Sequence, residues 1–108
     1  MKRTTTQLLI TTILLWSAPA TAEDILTLAK KGGCLACHAM EKTIVGPAWK
    51  DVAASYKGDK SARQKLIDSI RHGSKGKWGN KVHMKAQHKV SDEEVGKLVD
   101  YILSLNKY

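Results

Sequence analysis

Hydrophobic residues recur at helical spacing in four stretches after residue 22, and nowhere do they alternate with period two for long enough to make a convincing strand. The first stretch carries Ile25, Leu28 and Ala29 on one face behind Glu23 and Asp24, acids well placed at the positive end of a helix. Gly32 and Gly33, or the cysteine segment beyond them, should stop it. Pro47 can open a second helix, in which Trp49, Val52, Ala53 and Tyr56 share a face before Gly58. A third is predicted over 61–72, burying Ala62, Leu66, Ile67 and Ile70, with Gly73 as its C-terminal cap. The fourth has the clearest start. Ser91, Asp92, Glu93 and Glu94 form a capping-box sequence, after which Val95, Leu98, Val99, Ile102 and Leu105 mark a helix over 91–106. An all-α fold is expected. Between the third and fourth helices, residues 73–90 contain Gly73, Gly76, Gly79, Trp78, His83 and Met84 and have no periodic pattern. Loops this long in small domains are usually functional or disordered, and the isolated Trp and Met suggest a loop that packs on something.

The start of the chain follows another rule. Lys2 and Arg3 precede the apolar run 8–16, and the small residues Ala20 and Ala22 follow, the arrangement of an export signal over 1–22 cleaved after Ala22. The run is about half the length that a membrane-spanning helix needs. One domain over 23–108 is therefore expected, with no integral membrane segment. The 108-residue chain has 18 Lys+Arg against 10 Asp+Glu and a formal net charge of +8. In an exported protein such charge points to an anionic protein or membrane surface, and nucleic acid is not expected as a partner. A domain this short buries only about 60–65% of the surface that its unfolded chain exposes, so something besides side chains can help to fill the core.

Two cysteines in an oxidising compartment ordinarily pair, but here they are Cys34 and Cys37, with His38 directly after. Thiols three residues apart lie on one side of a helical turn, where each can form a thioether with one vinyl group of a haem. His38 is then held beneath the iron as an axial ligand. A redox dithiol would want a βαβ setting, which this helical pattern lacks, and a zinc site would have to recruit His72, His83 or His88. A plain disulfide uses the two thiols but not the histidine. Covalent haem accounts for all three residues.

With these residues in place, the chain resembles the small bacterial class I cytochromes c, soluble carriers with a single haem that deliver electrons to nitrite reductases, terminal oxidases or peroxidases. The likeness spans 24–106. It rests on Cys34-Leu35-Ala36-Cys37-His38, on the run from Ile44 through Gly46, Pro47 and Trp49 to Ala53, on Gly73-Ser74-Lys75-Gly76-Lys77-Trp78-Gly79, and on Met84 followed by Val90-Ser91-Asp92-Glu93. The resemblance implies about four helices wrapped around one haem c, attached through Cys34 and Cys37, in a periplasmic protein; with no spare apolar helix face on the pattern, a monomer is expected. It implies that the Pro47 carbonyl accepts the ring N–H of His38, that Trp78 reaches a haem propionate, and that Met84 is the sixth ligand of the iron. It implies an electron carrier and not an enzyme. The partner expected is the acidic face of a redox protein such as an oxidase, a reductase or a quinol-oxidising complex. Lys75, Lys77, Lys81, Lys85 and Lys89 on one side of the haem, and Lys30, Lys31 and Lys42 on the other, would meet it.

The likeness breaks around the methionine. The family surrounds this residue with prolines, whereas here it lies in Val82-His83-Met84-Lys85, and one extra residue separates Trp78 from Met84. The ligand loop is therefore expected to be less rigid. Gln87 stands where the family tends to place an Asn. His83 is a rival ligand, but neighbours in extended chain point opposite ways, so His83 and Met84 cannot both face the iron; the family position favours Met84. His72, beside Gly73, reads as a cation at a helix end. Two alternatives stay open on the sequence: a low-potential carrier with two His ligands, and a haem sensor or enzyme with an open distal site served by His83 or His88.

Overall fold

The helices fall where the apolar spacing puts them, and side chains cap two of the four. The computed structural model describes residues 2, 4, 7–16 and 21–107. Its elements are α1 (Ala22–Lys31), a 3₁₀ turn (Cys34–Ala36), α2 (Trp49–Ser55), α3 (Ala62–His72), strands β1 (Ser74–Gly76) and β2 (Gly79–Met84), α4 (Asp92–Ser104) and a closing 3₁₀ turn (Leu105–Lys107). At α1 the Thr21 hydroxyl accepts from the Asp24 amide at 3.2 Å while the Asp24 carboxylate accepts from the Thr21 amide at 3.2 Å. Ser91 and Glu94 repeat this capping box at α4. Such a cap is worth about 1 kcal/mol. Export cleavage after Ala22 would remove Thr21 and leave Glu23 and Asp24 alone to face the positive end of α1. Of the segment ahead of α1, residues 17–20, in which the small-residue stretch lies, are outside the described residues, as are 1, 3, 5 and 6. Among the described residues no helix is long and apolar enough to cross a membrane.

α4 is the spine of the core. Its Val95, Leu98, Val99 and Ile102 form one buried cluster with Ile25 and Ala29 of α1, Trp49 and Val52 of α2, and Ala62 and Leu66 of α3. Ile67 and Ile70, expected to be buried, are only half-buried at its margin, beside which Cys34 and Leu35 also pack. Two exposed ion pairs also span the helices: Lys31 to Glu94 at 2.7 Å joins α1 to α4, and Arg63 to Asp100 at 2.8 Å joins α3 to α4. Gly96 is buried because Arg63 lies across it, with Nη2 only 2.9 Å from where a Cβ would stand. Pro47 lies just ahead of α2, whose N-cap is Ala48, and so fixes the approach to the helix without forming its first turn.

Where the sequence predicts an unpatterned loop, the structure has a hairpin. β1 and β2 run antiparallel, Ser74 opposite Met84 and Gly76 opposite Gly79, with Lys77 and Trp78 as the turn. Gly76 at φ 90° and Gly79 at φ 110° supply the backbone that so tight a reversal requires. Alternation fails to announce β2 because Gly79 to His83 are all exposed and only Met84 is half-buried. Backbone pairing, and not a buried face, holds this strand. The register shifts between its two ends, so that residues 79–84 run opposite residues 74–76 alone. The surplus of chain on the β2 side is taken up in that irregularity, as in a bulge.

Candidate haem-binding site

Gly33, with φ 73°, turns the chain out of α1 into the 3₁₀ turn that carries the cysteines. The Cys34 carbonyl accepts from the amides of Cys37 at 3.1 Å and His38 at 2.9 Å, which winds all three residues onto one turn. Both thiols are free. Cys34 is half-buried and Cys37 exposed. Burial pushes the Cys34 thiol above its ordinary pKa, partly offset by its backbone hydrogen bond. Gly32 lets the turn pack closely, since a Cβ there would stand 3.2 Å from Cys34 Sγ and 3.4 Å from Val90 Cγ1.

His38 is pinned on two sides. Its Nδ1 lies 2.8 Å from the Pro47 carbonyl oxygen. A carbonyl can only accept, so Nδ1 carries the hydrogen and Nε2 is left with its lone pair free for a metal. Trp49 stacks beside the ring, centroids 6.3 Å apart and planes 28° apart. Gly46 donates its amide to the Cys37 carbonyl at 2.6 Å and lies so close that a Cβ would stand 2.7 Å from His38 Cε1. The chain beyond His38 is stitched onto α2, with the amides of Trp49 and Lys50 donating to the carbonyls of Ala39 and Met40 at 2.9 and 3.0 Å. Those amides belong to the first turn of a helix and would otherwise lack partners.

The other predicted site residues lie on the hairpin. Met84 ends β2 and is half-buried, whereas His83 before it is exposed. Together with His72, Gly73, Ser74 and Lys75 they line a pocket of about 280 Å³. Trp78 is at the turn, 46% exposed, and its neighbour Lys77 sets its ammonium 3.5 Å from the centroid of the Tyr56 ring. Gln87 spends its side-chain amide on the Lys85 carbonyl at 3.3 Å. Among the described residues no hydrogen bond joins segment 34–47 to hairpin 74–84. Sequence reasoning missed the packing roles of Gly46 and Gly73, visible there only as glycines inside motifs. It missed Arg71 altogether, because the acceptors of Arg71 include backbone carbonyls.

A helical fold that presents two unpaired thiols and an imidazole with a free Nε2 on one turn defines a protein built to hold a c-type haem. The donors fit that group, with the tautomer already set by Pro47. The chain belongs to the cytochrome c family, whose profile matches residues 22–106. It is 44% identical over 88 residues to cytochrome c-551 of Allochromatium vinosum, covering 82% of this chain and 92% of that one. It is 43% identical over 96 residues to cytochrome c-551 of Pseudomonas aeruginosa, covering 89% and 90%. The crystal structure of wild-type Nitrosomonas europaea cytochrome c552 superposes with a TM-score of 0.70 at 44% identity, covering 74% of this chain and 98% of that one. This is a small class I cytochrome c, all-α, that carries one covalently attached haem c and serves as an electron carrier, not an enzyme.

Proposed function

We propose that this cytochrome works in the periplasm as a one-electron shuttle between respiratory partners, with His38 and Met84 as axial ligands. The single observation that carries the reading is the ring N–H of His38 on the Pro47 carbonyl at 2.8 Å, which leaves Nε2 free to bind an iron. When bound, the haem supplies the Fe(III)/Fe(II) couple. Cys34 and Cys37 hold it by thioethers, and Pro47 keeps the imidazole basic and oriented. Met84 offers a soft thioether, which favours the ferrous form and so a relatively high potential. Its half-buried place beside an exposed His83 supports Met84 over the histidine. The Trp78 indole N–H has no hydrogen-bond partner among the described residues and is assigned to a propionate. The experiment is an intact mass with an oxidised-state optical spectrum, on protein from a host with haem-attachment machinery. Expected are a chain beginning at Glu23, one haem heavier than residues 23–108, and a weak far-red sulfur-to-iron band. Free thiols in that material would end the reading of Cys34 and Cys37, and a haem protein without the band would end that of Met84.

The partner proposed is an acidic protein face, a donor to or acceptor from this carrier such as an oxidase, a reductase or a quinol-oxidising complex, met by a monomer. Lys75, Lys77, Lys81 and Lys85 stand exposed on and beside the hairpin, while Asp92 and Glu93 are at the start of α4. Exposed charges of this kind act on encounter more than on affinity. Electron-transfer rate constants with the natural partner should therefore fall as salt rises, and Lys81→Glu should slow the reaction up to ~10-fold at low salt while Lys107→Glu barely changes it. Equal effects at the two sites, or a rate indifferent to salt, would leave these lysines as a solubilising surface.

A further inference from the structure

No proline stiffens the loop that carries Met84, and the last turn of α3 offers a fastening. The Met84 carbonyl lies against Gly73, where a Cβ would stand 2.7 Å from that oxygen and where φ is +85°. The Gln87 amide donates to the Ile70 carbonyl at 2.8 Å, an oxygen that a helix end leaves without an internal partner. Arg71 then takes hold of the far side of the loop. Its Nη1 donates to the carbonyls of Gln87 at 3.2 Å and Val90 at 2.8 Å, and its Nη2 pairs with Asp92 at 2.6 Å. The Arg71 side chain is 17% exposed and that of Asp92 97%, so the two carbonyl bonds lie on the drier side of the guanidinium. Arg71 Nε is buried with no partner. Such an orphan costs stability and persists only where the rest of the group is firmly held.

We propose that Arg71 is a positioning residue for Met84: by gripping the Gln87 and Val90 carbonyls it closes the loop that carries the ligand and sets how rarely the Met84 sulfur leaves its place. The inference rests on the reading of Met84 as the sixth ligand. One guanidinium fork reaching three acceptors is a geometry that an ammonium cannot copy. Gly73 packs against the loop at its Met84 end, the Gln87 amide ties its middle to Ile70, and Arg71 holds its Val90 end. Releasing Arg71 leaves the stretch from Gln87 to Val90 held by the Gln87 amide alone, so the loop opens more often.

Imidazole added to the ferric holoprotein is the probe, since its entry at saturating concentration is limited by departure of the methionine. Arg71→Gln should raise that limiting rate roughly tenfold or more, because a charge-assisted grip on two carbonyls is lost. Arg71→Lys should fall between that variant and the native protein, and Asp92→Asn should stay within about twofold, its pair being exposed. In urea, the far-red band of Arg71→Gln should vanish well before the helical signal, a separation much wider than in the native protein. A merely structural arginine would lower both midpoints together and leave the imidazole rate unchanged, and that result overturns the inference. Should Arg71→Gln not assemble, an unchanged rate in Arg71→Lys overturns it equally. Native protein with no far-red band would refute the ligand itself, a failure distinct from that of Arg71.

Discussion

Met84→Ala should abolish the far-red band and lower the reduction potential, while His83→Ala leaves both close to native. The two residues are neighbours in β2, where successive side chains leave on opposite sides of the strand. Both line the pocket beside Ser74, but Met84 is half-buried and His83 exposed. A thioether stabilises the ferrous state, so its removal should shift the redox equilibrium roughly tenfold or more toward the ferric form. Redox titration with the oxidised spectrum reads both effects on one sample. If His83→Ala removes the band and Met84→Ala does not, the role passes to His83 and the docking face has to be redrawn around it.

Gly46→Ala is the second large effect expected. An alanine methyl there would stand 2.7 Å from His38 Cε1, 3.0 Å from its Nδ1 and 3.1 Å from the Cys37 carbonyl oxygen. Imidazole and carbonyl are both held, the ring by Pro47 and Trp49 and the carbonyl by the Gly46 amide itself, so neither can step aside cheaply. Overpacking of this kind costs about 1–3 kcal/mol, and the ring must tilt or loosen its bond to Pro47. Gly58→Ala is the control: φ is +79° there, but nothing lies within 4 Å of the added methyl. It should lose about 1–2 kcal/mol by backbone strain alone. Urea unfolding would register both substitutions, whereas only Gly46→Ala should disturb the His38 ring resonances and the potential. Identical resonances in the two variants would deny Gly46 its packing role.

The helices were legible because each buries one stripe against a single core, and burial writes a period of 3.6 into the residues. Ser91 and Glu94 announced α4 through side chains that bond its own first turn, a local signal that needs no tertiary knowledge. The hairpin left no such mark, since a ribbon exposed on both faces has no reason to alternate. Cys34, Cys37 and His38 declared their chemistry by spacing alone, because attachment happens within one turn. Trp78 and Met84 came only from the family resemblance, and nothing in residues 73–90 would have singled out this methionine over the histidine beside it. Gln87, which stands where the family tends to place an Asn, turns its amide to the Lys85 carbonyl. Arg71 was invisible for a deeper reason: its hold on the loop depends on how α3 and the Gln87–Val90 segment meet, and carbonyls carry no residue type.

The uneven pairing of β1 and β2 also bears on how such a carrier can diversify. Chain gained or lost between Gly79 and Met84 can be taken up as slack in one strand, while the point at which that strand returns to Ser74 stays put. If Met84 is the ligand and the lysines meet the partner, the tip that bears Trp78 can be lengthened, shortened or recharged without moving Met84. On that reading, partner choice and electronic tuning, though carried on one short hairpin, are free to evolve as separate traits.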